Sequence, residues 1–185
     1  MTSNWPRLSL AGVLMVAMAG CSTAPRSVAE RTDLQAEASL KIAKARSHDP
    51  TLQPFFDTAA GYAVFPSVGK GALVVGGAYG KGVLYERGKP IAYCDMTQAS
   101  IGAQLGGQAY TELIFFQTPQ ALGDFKSGDF TLNAEATAVA LKSGTGTNAR
   151  YSNAIAVFTM DESGLMGEAA VGGQKFNIAP LVWPR

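Results

Sequence analysis

Between Ser27 and Tyr62 the spacing of apolar residues switches from helical to alternating, and this switch limits the chain to a mixed helix-and-sheet fold. Ser27 to Ser47 has no Gly or Pro and is rich in Ala, Glu, Gln, Lys and Arg, with Leu34, Ala38, Ile42 and Ala45 on one stripe. That pattern predicts an amphipathic helix ended by His48-Asp49-Pro50. A second short helix is expected over Thr51 to Ala59, anchored by Phe55 and Phe56, with Gly61 at its C′ position. From Ala72 to Tyr85, Leu73, Val75, Tyr79, Val83 and Tyr85 face one way, while Ala72, Val74, Gly76, Ala78, Gly80 and Gly82 face the other. Alternation of this kind predicts strands, and a face of small residues predicts bending or close approach.

Further along, Glu86-Arg87-Gly88-Lys89 reads as a hairpin turn, with Pro90 to Asp95 as the returning strand. Ala99 to Phe116 reads as one long half-buried strand bent at Gly106-Gly107, with Ser100, Gln104, Gln108 and Glu112 on its polar side. Thr118-Pro119 predicts the start of a short helix to Ser127. Phe130 to Leu141 reads as a strand and Ser143 to Asn148 as a loop. Ile155 to Met160 and Leu165 to Val171 form a hairpin, before a last strand at Phe176 to Ile178. The expected fold is α+β: a curved antiparallel sheet or barrel-like sandwich, with N-terminal helices and a short helix near 118–127.

The first segment reads as an address. Leu8 to Ala19 is an apolar run of twelve residues after a single Arg, too short to span a bilayer, which takes about 20. It ends in Met18-Ala19-Gly20-Cys21, which is similar to a bacterial lipoprotein signal with Cys21 as the acylated first residue of the mature chain. The other reading is an ordinary signal peptide cut elsewhere, with Cys21 a bystander. The expected organisation is a signal over 1–20, a tether over 21–30 and one domain over 31–185. Ser22 after the cysteine points to the outer membrane, with the domain facing the periplasm.

Composition narrows the chemistry. With 15 Lys+Arg against 14 Asp+Glu, the chain lacks the strong basic excess of a nucleic-acid binder. His48 is the only imidazole and reads as a helix-end residue, so neither it nor Cys94, set in an apolar strand, suggests a catalytic pair. No metal-ligand spacing is present. The glycine string from Gly69 to Gly82 fits no phosphate loop: GxGxxG would need Gly where Val74 or Tyr85 stands, and Gly80-Lys81 is followed by Gly82 instead of Ser or Thr. No enzyme, cofactor or metal is therefore expected. Between Thr58 and Cys94, Lys70, Lys81, Arg87 and Lys89 face only Glu86, which makes these four the candidate contacts for an anionic partner.

Several motifs in order carry a resemblance. They are Gly61-Tyr-Ala-Val-Phe-Pro-Ser-Val-Gly-Lys-Gly71, Val75-Gly-Gly-Ala-Tyr-Gly-Lys-Gly-Val83, Gly102-Ala-Gln-Leu-Gly-Gly-Gln108, Glu112-Leu-Ile-Phe-Phe116 and Phe125-Lys-Ser-Gly128. With the alanine-rich segment from Ala134 to Ala140, the chain resembles the SYLF domain family from about Arg31 to Val171. Eukaryotic members bind phosphoinositide-rich membranes, and some bind or bundle actin. The resemblance implies binding of anionic phospholipid, with Lys70 and Lys81 on the motif's basic positions. The alternative is an envelope protein that binds a protein partner through its sheet; a hydrolase with an unrecognised carboxylate site ranks last.

Overall fold

The first helix, α1 (Val28–His48), starts where Ser27 turns its side chain back to accept a hydrogen bond from the Glu30 N–H at 3.1 Å. Glu30 in its first turn and Arg46 and His48 in its last complement the helix dipole. The structure is a computed structural model, which describes residues 25, 27–72, 75–101, 108–128, 130–132, 151–160, 165–166 and 173–181. The expected stripe is the buried one: Leu34, Ala38 and Ala45 are in the core with Ile42 against them. α1 also takes in residues 28–30 of the expected tether. A 3-10 turn (Pro50–Leu52) leads into α2 (Gln53–Thr58), whose Phe55 and Phe56 are buried. Gly61 does not close this helix, which is capped at Ala59. Gly61 opens a strand instead, where a Cβ would meet the Tyr85 carbonyl at 2.7 Å and the Leu122 methyls at 2.9 Å.

Eight strands complete the described chain: β1 (Gly61–Ala72), β2 (Val75–Glu86), β3 (Lys89–Ile101), β4 (Gln108–Phe116), β5 (Thr131–Leu132), β6 (Ile155–Met160), β7 (Leu165–Met166) and β8 (Gln174–Pro180). They form one antiparallel sheet in the order β5-β8-β3-β2-β1-β4-β6-β7. The β2–β3 turn has positive φ at both Arg87 (52°) and Gly88 (73°), the pattern of a two-residue I′ hairpin. The single strand expected over Ala99 to Phe116 is two strands. Ala99 and Ile101 finish β3 opposite Gly77 and Val75, and β4 begins at Gln108 against β1. Alternation continues through both because it reports which face a residue is on, not which way the chain runs. Between β4 and β5, α3 (Pro119–Ser127) starts and stops as its sequence dictates. Thr118 accepts from the Ala121 N–H at 3.2 Å, and Gly128 ends it in the left-handed region. Residues 1–20, Cys21, the strand expected beyond Leu132 and the 143–148 loop lie outside the described residues.

Both faces of the sheet are buried in part. On one face α1 and α2 pack on Tyr62, Val64, Val83, Tyr85, Tyr93, Leu113, Phe115 and Phe158. On the other, Ala121, Leu122 and Phe125 of α3 meet Ala63, Phe65, Leu84, Met96, Ile114, Phe116 and Phe176. The sheet curls around α3. The Phe125 ring lies 4.7 Å from Phe116 on β4 and 5.1 Å from Phe176 on β8, centroid to centroid. Those strands are four places apart, a separation of about 19 Å in a flat sheet. A bulge in β1 between Val64 and Ser67 assists the bend. It holds Pro66, whose carbonyl accepts from Thr111 Oγ1 at 2.8 Å. The edge strands β5 and β7 do not pair with each other, so among the described residues the curl is unclosed. The fold is α+β with a curved antiparallel sheet; the α1 side is its outer face and the α3 side its inner face.

Candidate functional site

The four candidate cations divide into two groups. Arg87 and Lys89 are exposed at the β2–β3 turn, beside a surface ion pair of Glu86 with Lys126 at 2.7 Å. Lys81 lies six residues back along β2, about 20 Å away at strand rise. The Lys70 backbone, on β1 between Ala78 and Gln108, belongs to the Lys81 end of the sheet. One continuous patch of all four is therefore not formed.

What the structure gathers at the Lys81 end is a cleft of about 150 Å³ on the outer face. It is lined by Glu37 and Lys41 from α1, Pro66 and Ser67 from β1, Ala109, Tyr110 and Thr111 from β4, and Met160. The strand register brings Lys81 to this cleft, because its partner on β1 is Ser67. Val68 and Ala78 belong to the inner core, so the alternation turns Ser67 and Lys81 outward together. Lys41 thus lines the cleft with the exposed Ser67, and Lys81 stands next to Ser67 on the neighbouring strand. Among the described residues neither Lys41 nor Lys81 is in an ion pair. Asp95, opposite Lys81 on β3, is buried and accepts from Asn177 Nδ2 at 2.7 Å. Among the described residues Glu37 is the one carboxylate on the cleft. Two cations and a hydroxyl against one carboxylate make an anion-accepting rim.

Lys41 escapes a sequence reading because on a surface helix it looks like any solvated lysine. The available signal is its place at the flank of the buried stripe, one helical turn after Glu37. Glu112 escapes too. Alternation places it on the polar side of a half-buried strand, yet it is fully buried on the inner face. There Gln174 Nε2 donates to Glu112 Oε2 at 3.0 Å and to Gln98 Oε1 at 3.2 Å, joining β8, β4 and β3 across the curl. Cys94 is a buried free thiol; burial, with Asp95 beside it, pushes its pKa well above the ordinary value. That is the opposite of an activated nucleophile. Among the described residues no group of His, Cys, Asp and Glu could hold a metal, and no helix is long and apolar enough to cross a membrane.

Residues 97–179, from late β3 through β8, match the family model described as "Ysc84: Las17-binding protein actin regulator". This is a SYLF-domain match over those residues. The Gly102–Gln108, Glu112–Phe116 and Phe125–Gly128 motifs lie inside the SYLF match, and the glycine-rich motifs of β1 and β2 precede it. The chain is also 29% identical over 157 residues to Beta cell expansion factor A of Aeromonas veronii. That alignment covers 83% of this chain and 59% of the relative, so the chain spans about three-fifths of that protein's length.

Proposed function

We propose that the chain is a non-catalytic membrane-binding lipoprotein whose SYLF domain holds anionic phospholipid headgroups at the Lys41–Ser67–Lys81 rim. In this reading acylated Cys21 tethers it to the bacterial outer membrane, with the domain facing the periplasm. The observation that carries the reading is Lys41 on the cleft and Lys81 beside the exposed Ser67, neither in an ion pair among the described residues. A cation near an anionic surface contributes about 1 kcal/mol, so a few lysines alone bind weakly. A second weak attachment through the tether makes the combination effective. The Lys70 backbone pairs with Ala78 of the inner core and so alternates away from Ser67 and Lys81, and Arg87 and Lys89 place the same chemistry at the far end of the sheet.

Vesicle flotation tests this directly on the chain lacking residues 1–21, which retains every described contact. Flotation with phosphatidylglycerol vesicles is expected to exceed that with phosphatidylcholine and to fall with salt. Reversal of Lys41 and Lys81 to Glu should lower it about tenfold or more, as the loss of two such contacts implies, with Arg87→Glu and Lys89→Glu closer to unchanged. Equal flotation with both lipids refutes the reading. The division of the cations into two separate groups favours one rival, a protein partner bound on the sheet, for which binding would ignore lipid composition.

A further inference from the structure

We infer that the uncovered row Ala109, Gly69, Tyr79, Thr97 and Lys175 on the outer sheet face lies against the bilayer, with Tyr79 seated among the headgroups. This rests on the phospholipid reading above and specifies the surface that carries it. The register sets these residues side by side across β4, β1, β2, β3 and β8. All five are exposed, and Tyr79, at 39%, is one of the few large apolar side chains that are among the described residues. Gly69 beside it is not demanded by packing, because a Cβ there would meet nothing within 4 Å. A strand glycine costs roughly 0.5–1 kcal/mol in chain entropy relative to alanine, and one without a packing reason marks a place where another surface comes close.

The charges agree with a bilayer as the occupant. The adjoining row is Ser67, Lys81, Asp95 and Asn177, so Lys81 borders Tyr79 on one side and Lys175 ends the row on the other. The acid in that neighbouring row, Asp95, is buried under Asn177, and Glu37 stands off on α1. An aromatic ring with a polar tip between lysines suits the boundary between headgroups and acyl chains.

The start of the described chain is on the same face. Arg31 Nε donates to the Pro25 carbonyl at 3.2 Å, and the Arg31 guanidinium is 6.0 Å from the centre of the Tyr93 ring. Tyr93 is an outer-face residue of β3, about 13 Å along the strand from Thr97. Residue 21 is four peptide units before Pro25 and reaches at most about 14 Å from it. An anchor at Cys21 therefore holds the Tyr79 face, and not the α3 side, toward the lipid.

A single tryptophan reports which face is buried. In the full chain, with Trp5→Phe and Trp183→Phe, Tyr79→Trp is compared with Gln120→Trp, an exposed position on α3. The vesicles are of phosphatidylglycerol and phosphatidylcholine with brominated acyl chains, and of brominated phosphatidylcholine alone, so that any contribution of residues 1–20 cancels. The expected result is phosphatidylglycerol-dependent quenching about twofold or more stronger at position 79 than at 120, reversed by salt. Phosphatidylglycerol-dependent sedimentation without preferential quenching at 79 overturns the choice of face while the phospholipid reading stands. No phosphatidylglycerol-dependent sedimentation overturns both. A spectral shift at position 79 that grows with protein concentration in the absence of vesicles identifies a second copy as the occupant and also overturns the inference.

Discussion

Gly82 and Gly69 occupy neighbouring strands under opposite demands. A Cβ on Gly82 would meet the Phe65 ring at 2.7 Å and the Val64 carbonyl at 2.8 Å, so Gly82→Ala should cost about 1–3 kcal/mol in urea unfolding. Gly69→Ala meets open space and should leave stability unchanged or raise it by up to about 1 kcal/mol. The sequence shows both as small residues in a strand; only the packed partner separates them. Burial also sets an alkaline limit. Desolvation raises the pKa of Cys94, Tyr62, Tyr85 and Tyr151, against weaker opposing contributions from Arg46 at Tyr62, Ser39 at Tyr85 and Thr58 at Tyr151. Each of these groups keeps its proton to higher pH when folded than when unfolded. Their stabilisation is complete below the ordinary thiol and phenol values and is lost as pH rises past about 9. Urea midpoints should hold steady from about pH 7 to 8.5 and fall by pH 11, with Cys94 unreactive to thiol reagents while the protein is folded.

At the scale of elements, most of what is encoded locally is legible, the end of α2 at Ala59 instead of Gly61 being the exception. Ser27 and Thr118 cap helices at the residues their sequence contexts mark, and Arg87-Gly88 turns the hairpin where its composition requires. Thr118→Ala should therefore cost about 1 kcal/mol, with Thr118→Ser nearly neutral, as read by urea midpoints. What depends on distant partners is not legible. Glu112 looks solvated until Gln174, 62 residues later, arrives beside it. Lys81 and Arg87 look like one patch when charges are only counted along the chain, although the strand expected up to Tyr85 already sets them about 20 Å apart. Lys41 and Ser67 look unrelated because only the packing of α1 on the outer face makes them neighbours. The α+β class and the curved sheet could be read from periodicity; the rim that the proposed function uses could not.

For the whole molecule, curvature depends on a few aromatic contacts made at long range. Phe125 touches Phe116, Phe130 and Phe176, and so connects strands from both halves of the sheet. Phe125→Ala should cost about 3–5 kcal/mol in denaturant unfolding and loosen β8 first, seen as faster amide exchange at residues 174–180 than in β1 and β2. The strand order has a kinetic consequence as well. β1, β2 and β3 form a meander of local contacts that can assemble as soon as residue 101 is available. The outer edge of β3 then has to wait for residues 174–180 before its backbone is paired. Throughout that interval it presents an open template to any other strand in reach, so β8 acts as the molecule's own guard against polymerisation.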